Sequence, residues 1–125
     1  MHLALLEAQK LTMDCVQVFT KNQRQWKVPP LSDESVRQWK DHRQSTGIKS
    51  VVSHDSYLIN LASNVPETRE KSINLFAEEL ARCQALDIPW LVTHPGAHLG
   101  QGEEAGLLLV AQALNELHRQ QPKNP

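Results

Sequence analysis

Two histidines, His54 and His94, each follow a short apolar run with strand character, at residues 49–53 and 89–93. A neutral imidazole at the end of a strand can ligate a metal, or it can be satisfied by backbone hydrogen bonds, and both readings stay open at these positions. A different chemistry gathers at Lys21, Asn22, Gln23, Arg24, Gln25, Trp26 and Lys27, a stretch with three positive charges and no acidic residue between Cys15 and Ser32. Cations there can hold phosphates while Asn and Gln reach base edges; a solvated loop with one packing Trp accounts for the same composition. Tyr57 and Leu58, just past His54, offer apolar wedges of the sort that enter a base stack, or simply pack on the next helix. His98 reads as a partner to a metal ligand, an anion contact, or a plain loop histidine, and His2, His42 and His118 read as solvent-facing helix residues.

These groups must be positioned by regular elements, and hydropathy supplies them. A helix is expected over residues 3–11 on Leu3, Leu6, Ala8 and Leu11, then a buried strand over 15–19. Ser32 is placed to cap the next helix, with Asp33 and Glu34 in its first turn and Gly47 at its end. Pro66 and Glu67 open a long helix with Ile73, Phe76, Leu80 and Cys83 at spacings of three and four. After the glycine-rich loop 96–102, a last helix over 103–118 turns Leu107, Val110, Leu114 and Leu117 inward, and residues 120–125 form a frayed tail. Strands alternating with helices, and no hairpin signal, mean a parallel sheet with right-handed crossovers. An open flavodoxin-like sheet or part of a (β/α)₈ barrel both fit, although a full barrel needs roughly 250 residues. In either, all three functional loops follow strand C-termini and so collect on one face.

The 125 residues suit one domain, and 40% hydrophobic with 22% charged residues is a soluble globular composition. A net charge of -1 exerts no global pull on polyanions, so nucleic-acid binding would need a local patch. No signal peptide or membrane-spanning run is visible, which predicts a cytoplasmic protein with no membrane partner. Cys15 and Cys83, without a C-x-x-C pair, read as reduced core residues. The absence of a G-x-S-x-G elbow, a phosphate-binding glycine loop and a dinucleotide fingerprint argues against hydrolase, nucleotide-triphosphatase and dehydrogenase readings.

The runs Phe19-Thr20-Lys21-Asn22-Gln23-Arg24-Gln25-Trp26, His54-Asp55-Ser56-Tyr57-Leu58-Ile59-Asn60-Leu61 and Thr93-His94-Pro95-Gly96-Ala97-His98-Leu99 together resemble the endonuclease IV family, in the right order. That resemblance implies an α/β fold of parallel βα units forming part of a TIM (β/α)₈ barrel, a zinc cluster, and cleavage 5′ to abasic sites in double-stranded DNA to leave a 3′-hydroxyl. His54 and His94 match two zinc ligands of the family. Arg24, Tyr57 and Leu58 match its minor-groove insertions, with Asn22 and Gln25 in the same DNA-contacting loop. The family's remaining ligands, on later strands, and its opening strand have no counterpart within residues 1–125. The expectation is therefore an N-terminal part, about three βα units preceded by a helix and incomplete at both ends. Such a part would bind zinc weakly through two imidazoles, show little activity of its own, and either bind abasic DNA without cutting it or require a complementary C-terminal half.

Overall fold

A computed structural model of the chain describes residues 1–120. Four helices and three strands alternate: α1 (Leu3–Lys10), β1 (Cys15–Val18), α2 (Asp33–Thr46), β2 (Ser50–His54), α3 (Pro66–Ala85), β3 (Trp90–Val92) and α4 (Glu103–Gln120). Gln120 is the last helical residue, and the rest of the expected tail lies outside the described residues. The strands pair in parallel in the order β1-β2-β3, with Val16 opposite Val51 and His54 opposite Val92. The parallel sheet expected from the alternation is therefore present, and no described helix is long and apolar enough to cross a membrane.

Local chemistry explains the helix boundaries. The Ser32 hydroxyl accepts the Ser35 amide at 3.1 Å, satisfying one of the donors that a helix start leaves free, and Gly47 closes α2 in the left-handed conformation at φ 72°. Pro66 opens α3, where a missing N–H costs no helix hydrogen bond.

Strand alternation decides what is buried. Val16, Val18, Val51 and Leu91 point to the helices, where Leu5, Ala8, Trp39, Cys83, Leu86 and Ile88 complete one core cluster. The Trp39 indole donates to the Leu86 carbonyl at 2.9 Å, so its large apolar body is buried without orphaning its N–H. A second cluster joins α3 to α4 through Ile73, Phe76, Ala113 and Leu117, with Ile59 and Leu61 beneath.

The opposite sheet face carries Cys15, Gln17, Trp90 and Val92, all exposed. The reading of Cys15 as a core residue is thereby corrected: it shares the uncovered face with Gln17, whereas Cys83 is buried and both thiols are free. Two helix phases are corrected as well. In α1 the inward residues are Leu5 and Ala8, while Leu3 and Leu11 are exposed, because the helix packs against α2 around Trp39. In α4 Leu107 faces outward, because Gly106 is the residue at the close contact. A Cβ there would fall 2.8 Å from the His98 Cβ. Among the histidines read as solvent-facing, His118 is exposed, but His2 and His42 are half-buried, with ring centres 4.8 Å apart.

Candidate functional site

The three loops that leave the strand C-termini are joined by side chains of the middle one. Ser56, fully buried, donates its hydroxyl to the Gln23 carbonyl at 2.8 Å and accepts the Leu58 amide at 3.3 Å, tying the β1 loop to the β2 loop. Asn60 does the same toward the β3 loop: its side-chain N–H₂ donates to the Ala97 carbonyl at 3.0 Å, and its side-chain oxygen accepts the Ala97 and Ala62 amides. Gly96 makes this approach feasible, with φ at 93° and no Cβ, since one would fall 2.0 Å from the Asn60 amide oxygen. The Thr93 hydroxyl adds a third tie by donating to the Asp55 carboxylate at 2.6 Å.

His54 and His94 meet at the centre of this arrangement, with ring centres 5.0 Å apart. The His54 Nδ1 lies 2.9 Å from the Asp55 carbonyl. A carbonyl only accepts, so Nδ1 carries the proton and Nε2 keeps its lone pair, the tautomer a metal ligand needs. Two imidazoles on one tetrahedral zinc, with Zn–N near 2 Å, have ring centres about 5 Å apart, which is the spacing found. Phe19 and Tyr57 wall the His54 ring at 5.5 and 5.6 Å. The Asp55 carboxyl stands 3.5 Å from the His54 Nδ1, and its own burial holds its pKa above the usual carboxylate range despite the Thr93 hydrogen bond. Among the described residues, no group of three or more His, Cys, Asp or Glu side chains could hold a metal ion. The donor set within these residues thus fits one side of a zinc site and does not close it.

The remaining residues singled out in the sequence divide by exposure. Asn22, Arg24, Gln25, Trp26 and Lys27 are exposed along the β1 loop, where the Asn22 side chain accepts the Arg24 amide at 2.9 Å in a local turn. Lys21 does not belong to that outward patch. It is buried, donates to the Trp26 carbonyl at 3.3 Å, and has its pKa lowered by desolvation, with Glu78 and Glu79 opposing the shift. Tyr57 is 62% exposed and projects from the site, while Leu58 is half-buried against the α3–α4 cluster. The His98 Nδ1 accepts the Gly102 amide at 3.1 Å, leaving Nε2 as the protonated nitrogen of a neutral ring, a donor for an anion rather than a lone pair for a metal.

Sequence reasoning missed Ser56, Asn60, Asp55 and Thr93. All four lie inside the quoted runs, but their partners are as many as 38 residues away, and nothing in local spacing names them.

Residues 5–123 match the xylose isomerase-like TIM barrel family model of the AP endonuclease 2 type. A protein named "Probable endonuclease 4" from Chloroflexus aurantiacus is 58% identical over 105 residues, which are 84% of this chain and 37% of that protein. Another of the same name from Geobacter sulfurreducens is 39% identical over 116 residues, or 93% of this chain and 39% of the relative. The crystal structure of endonuclease IV from Thermus thermophilus superposes with a TM-score of 0.81 at 29% identity, covering 95% of this chain and 41% of that one. The chain thus spans about two fifths of the length of the relatives it matches.

Proposed function

The chain belongs to the AP endonuclease 2 family of xylose isomerase-like TIM barrels, and from that premise we propose that it is the lesion-reading portion of a zinc-dependent repair endonuclease that cleaves DNA 5′ to abasic sites. The observation that carries the reading is the locked set of three loops, with His54 and His94 5.0 Å apart at its centre and Arg24 and Tyr57 exposed at its rim. The names of the relatives, endonuclease 4 and endonuclease IV, support this reading.

Each residue has a task that its surroundings allow. Arg24 and Lys27, exposed and free of nearby acids in sequence, neutralise phosphates, and Asn22 and Gln25 lie beside them as amide donors and acceptors. Tyr57 is the wedge: its ring is exposed yet steadied edge-on by Phe19 at 5.7 Å, so little rotamer freedom is lost when it enters a base stack. Leu58, already half-buried, contributes a flank of the same insertion. His54 and His94 would hold zinc, and His98 would donate Nε2–H to a phosphate oxygen. Zinc, when bound, supplies Lewis-acid polarisation of a phosphodiester and lowers the pKa of water. Two imidazoles hold that ion weakly, because stable zinc sites use three or four protein ligands. Within these residues the stronger capacity is therefore recognition, with little incision by the chain alone.

Fluorescence anisotropy with an abasic duplex and its intact counterpart tests the reading. The chain should favour the abasic duplex; Tyr57→Ala should shrink that preference by about tenfold, the worth of one lost stacking contact. Arg24→Ala should weaken binding to both duplexes and reduce the salt dependence by about one ion. Equal affinity of the unmodified chain for the two duplexes would overturn the proposal.

A further inference from the structure

The β1 loop is exposed along residues 24–27, yet its base sits on buried polar groups. Arg82 of α3 is 6% exposed and spreads its guanidinium between two carbonyls that bracket the loop. Nη1 donates to Thr20 at 3.1 Å, where β1 ends, and Nη2 donates to Pro29 at 2.5 Å, shortly before α2 begins. Its Nε is held by Glu78 at 3.1 Å, one turn earlier on the same helix. Beside it the buried Glu79 carboxylate accepts the Thr20 hydroxyl at 2.6 Å, and Lys21 reaches across the loop to the Trp26 carbonyl.

A flat guanidinium fork suits this task. It reaches two carbonyls 9 residues apart in sequence with donors fixed in one plane, whereas an ammonium is a single point of donation on a flexible stem. Keeping a cation here is costly without anions, and Glu78 and Glu79 supply them. An ordinary surface loop has no need of such a base. We infer that Arg82 is a positioning residue that clamps the two ends of the β1 loop and thereby presents Arg24, Asn22 and Gln25 in a fixed orientation to DNA. The clamp is read from geometry alone; its purpose rests on the DNA-binding function proposed above.

The experiment uses Arg82→Lys and Arg82→Gln in the full chain. Amide hydrogen exchange is followed by mass spectrometry, in parallel with anisotropy on abasic and intact duplexes. Arg82→Lys keeps the charge beside Glu78 but loses the fork. It should speed exchange of the hydrogen-bonded Arg24 and Gln25 amides by about tenfold or more, as expected for a local opening released from one or two strong hydrogen bonds, and leave residues 51–53 of β2 within about twofold. Arg82→Gln should do the same or more. Affinity for both duplexes should fall in step with loop exchange, although Arg24 and Tyr57 remain. Exchange that rises equally in the loop and in β2, or a variant that loses its fold entirely, makes Arg82 a general support and overturns the inference. An unchanged loop also overturns it, as does a loosened loop with intact affinity for both duplexes. If the unmodified chain fails to distinguish the duplexes but the loop loosens locally, the clamp stands and the DNA reading alone falls.

Discussion

The Ser56 hydroxyl hydrogen-bonds the cationic loop to the loop bearing Tyr57, and removing it should be felt in both stability and binding. Ser56→Ala deletes one oxygen from a side chain that is 1% exposed, leaving no cavity of consequence. Two bonds are lost: the donation to the Gln23 carbonyl at 2.8 Å and the acceptance of the Leu58 amide at 3.3 Å. A fully buried group left bare costs about 1–3 kcal/mol, but Gln23 and Leu58 are half-buried, so water reaches them and the lower end applies to each. The sum is about 2 kcal/mol. If the loss falls on the loop alone, DNA must re-order the two loops as it binds, and at 1.4 kcal/mol per decade the abasic-duplex affinity drops by about tenfold to thirtyfold. Urea unfolding gives the global term and anisotropy the binding term. A Ser56→Ala chain that unfolds within about 0.5 kcal/mol of the parent and binds the abasic duplex with unchanged affinity would show that the two loops are not held together through this hydroxyl.

Two further outcomes can be stated. Burial lifts the Glu79 pKa above its ordinary value, against the opposing influence of the Thr20 hydroxyl, Lys21 and Arg82, and burial lifts Asp55 as well. A carboxyl whose folded pKa exceeds its unfolded one binds its proton more tightly when folded. Its stabilisation is therefore present below the unfolded pKa and declines as pH rises through the folded value. Denaturant unfolding across about pH 4 to 7 should show that decline, and Glu79→Gln should flatten part of it; an identical slope in the variant would remove Glu79 as its source. For the metal, His54→Ala and His94→Ala should each lower zinc affinity by more than about tenfold in competition with a chromophoric chelator, while His98→Ala stays within about twofold, because the His98 lone pair is already used on the Gly102 amide. A loss at His98 equal to that at His54 would contradict the tautomers assigned to the two rings.

Much of the fold follows from local properties of the chain. Ser32, Gly47 and Pro66 act through their own backbone preferences and nearest neighbours, so the ends they set could be read directly, and strand-helix alternation then leaves a parallel sheet as the economical arrangement. The same order places the Lys21, His54 and His94 loops after strand C-termini on one face. Helix phase was less legible. A stripe of apolar residues permits neighbouring rotations, and only the fit around Trp39 and the close contact at Gly106 selected Leu5 over Leu3 and Gly106 over Leu107. Cys15 was misplaced for a related reason, since a short apolar run does not say which of its alternating sides is covered.

Sequence by itself determined which chemical groups exist and which loops carry them. Only the tertiary structure decided that Ser56 and Asn60 would bind three loops into one surface, that Lys21 would turn inward, and that Arg82 would grip both ends of a loop more than fifty residues away in the chain. Residue type and spacing describe what a side chain can donate or accept. Its actual partner depends on distances of a few ångströms between segments remote in sequence, and those distances are set by packing of the whole core.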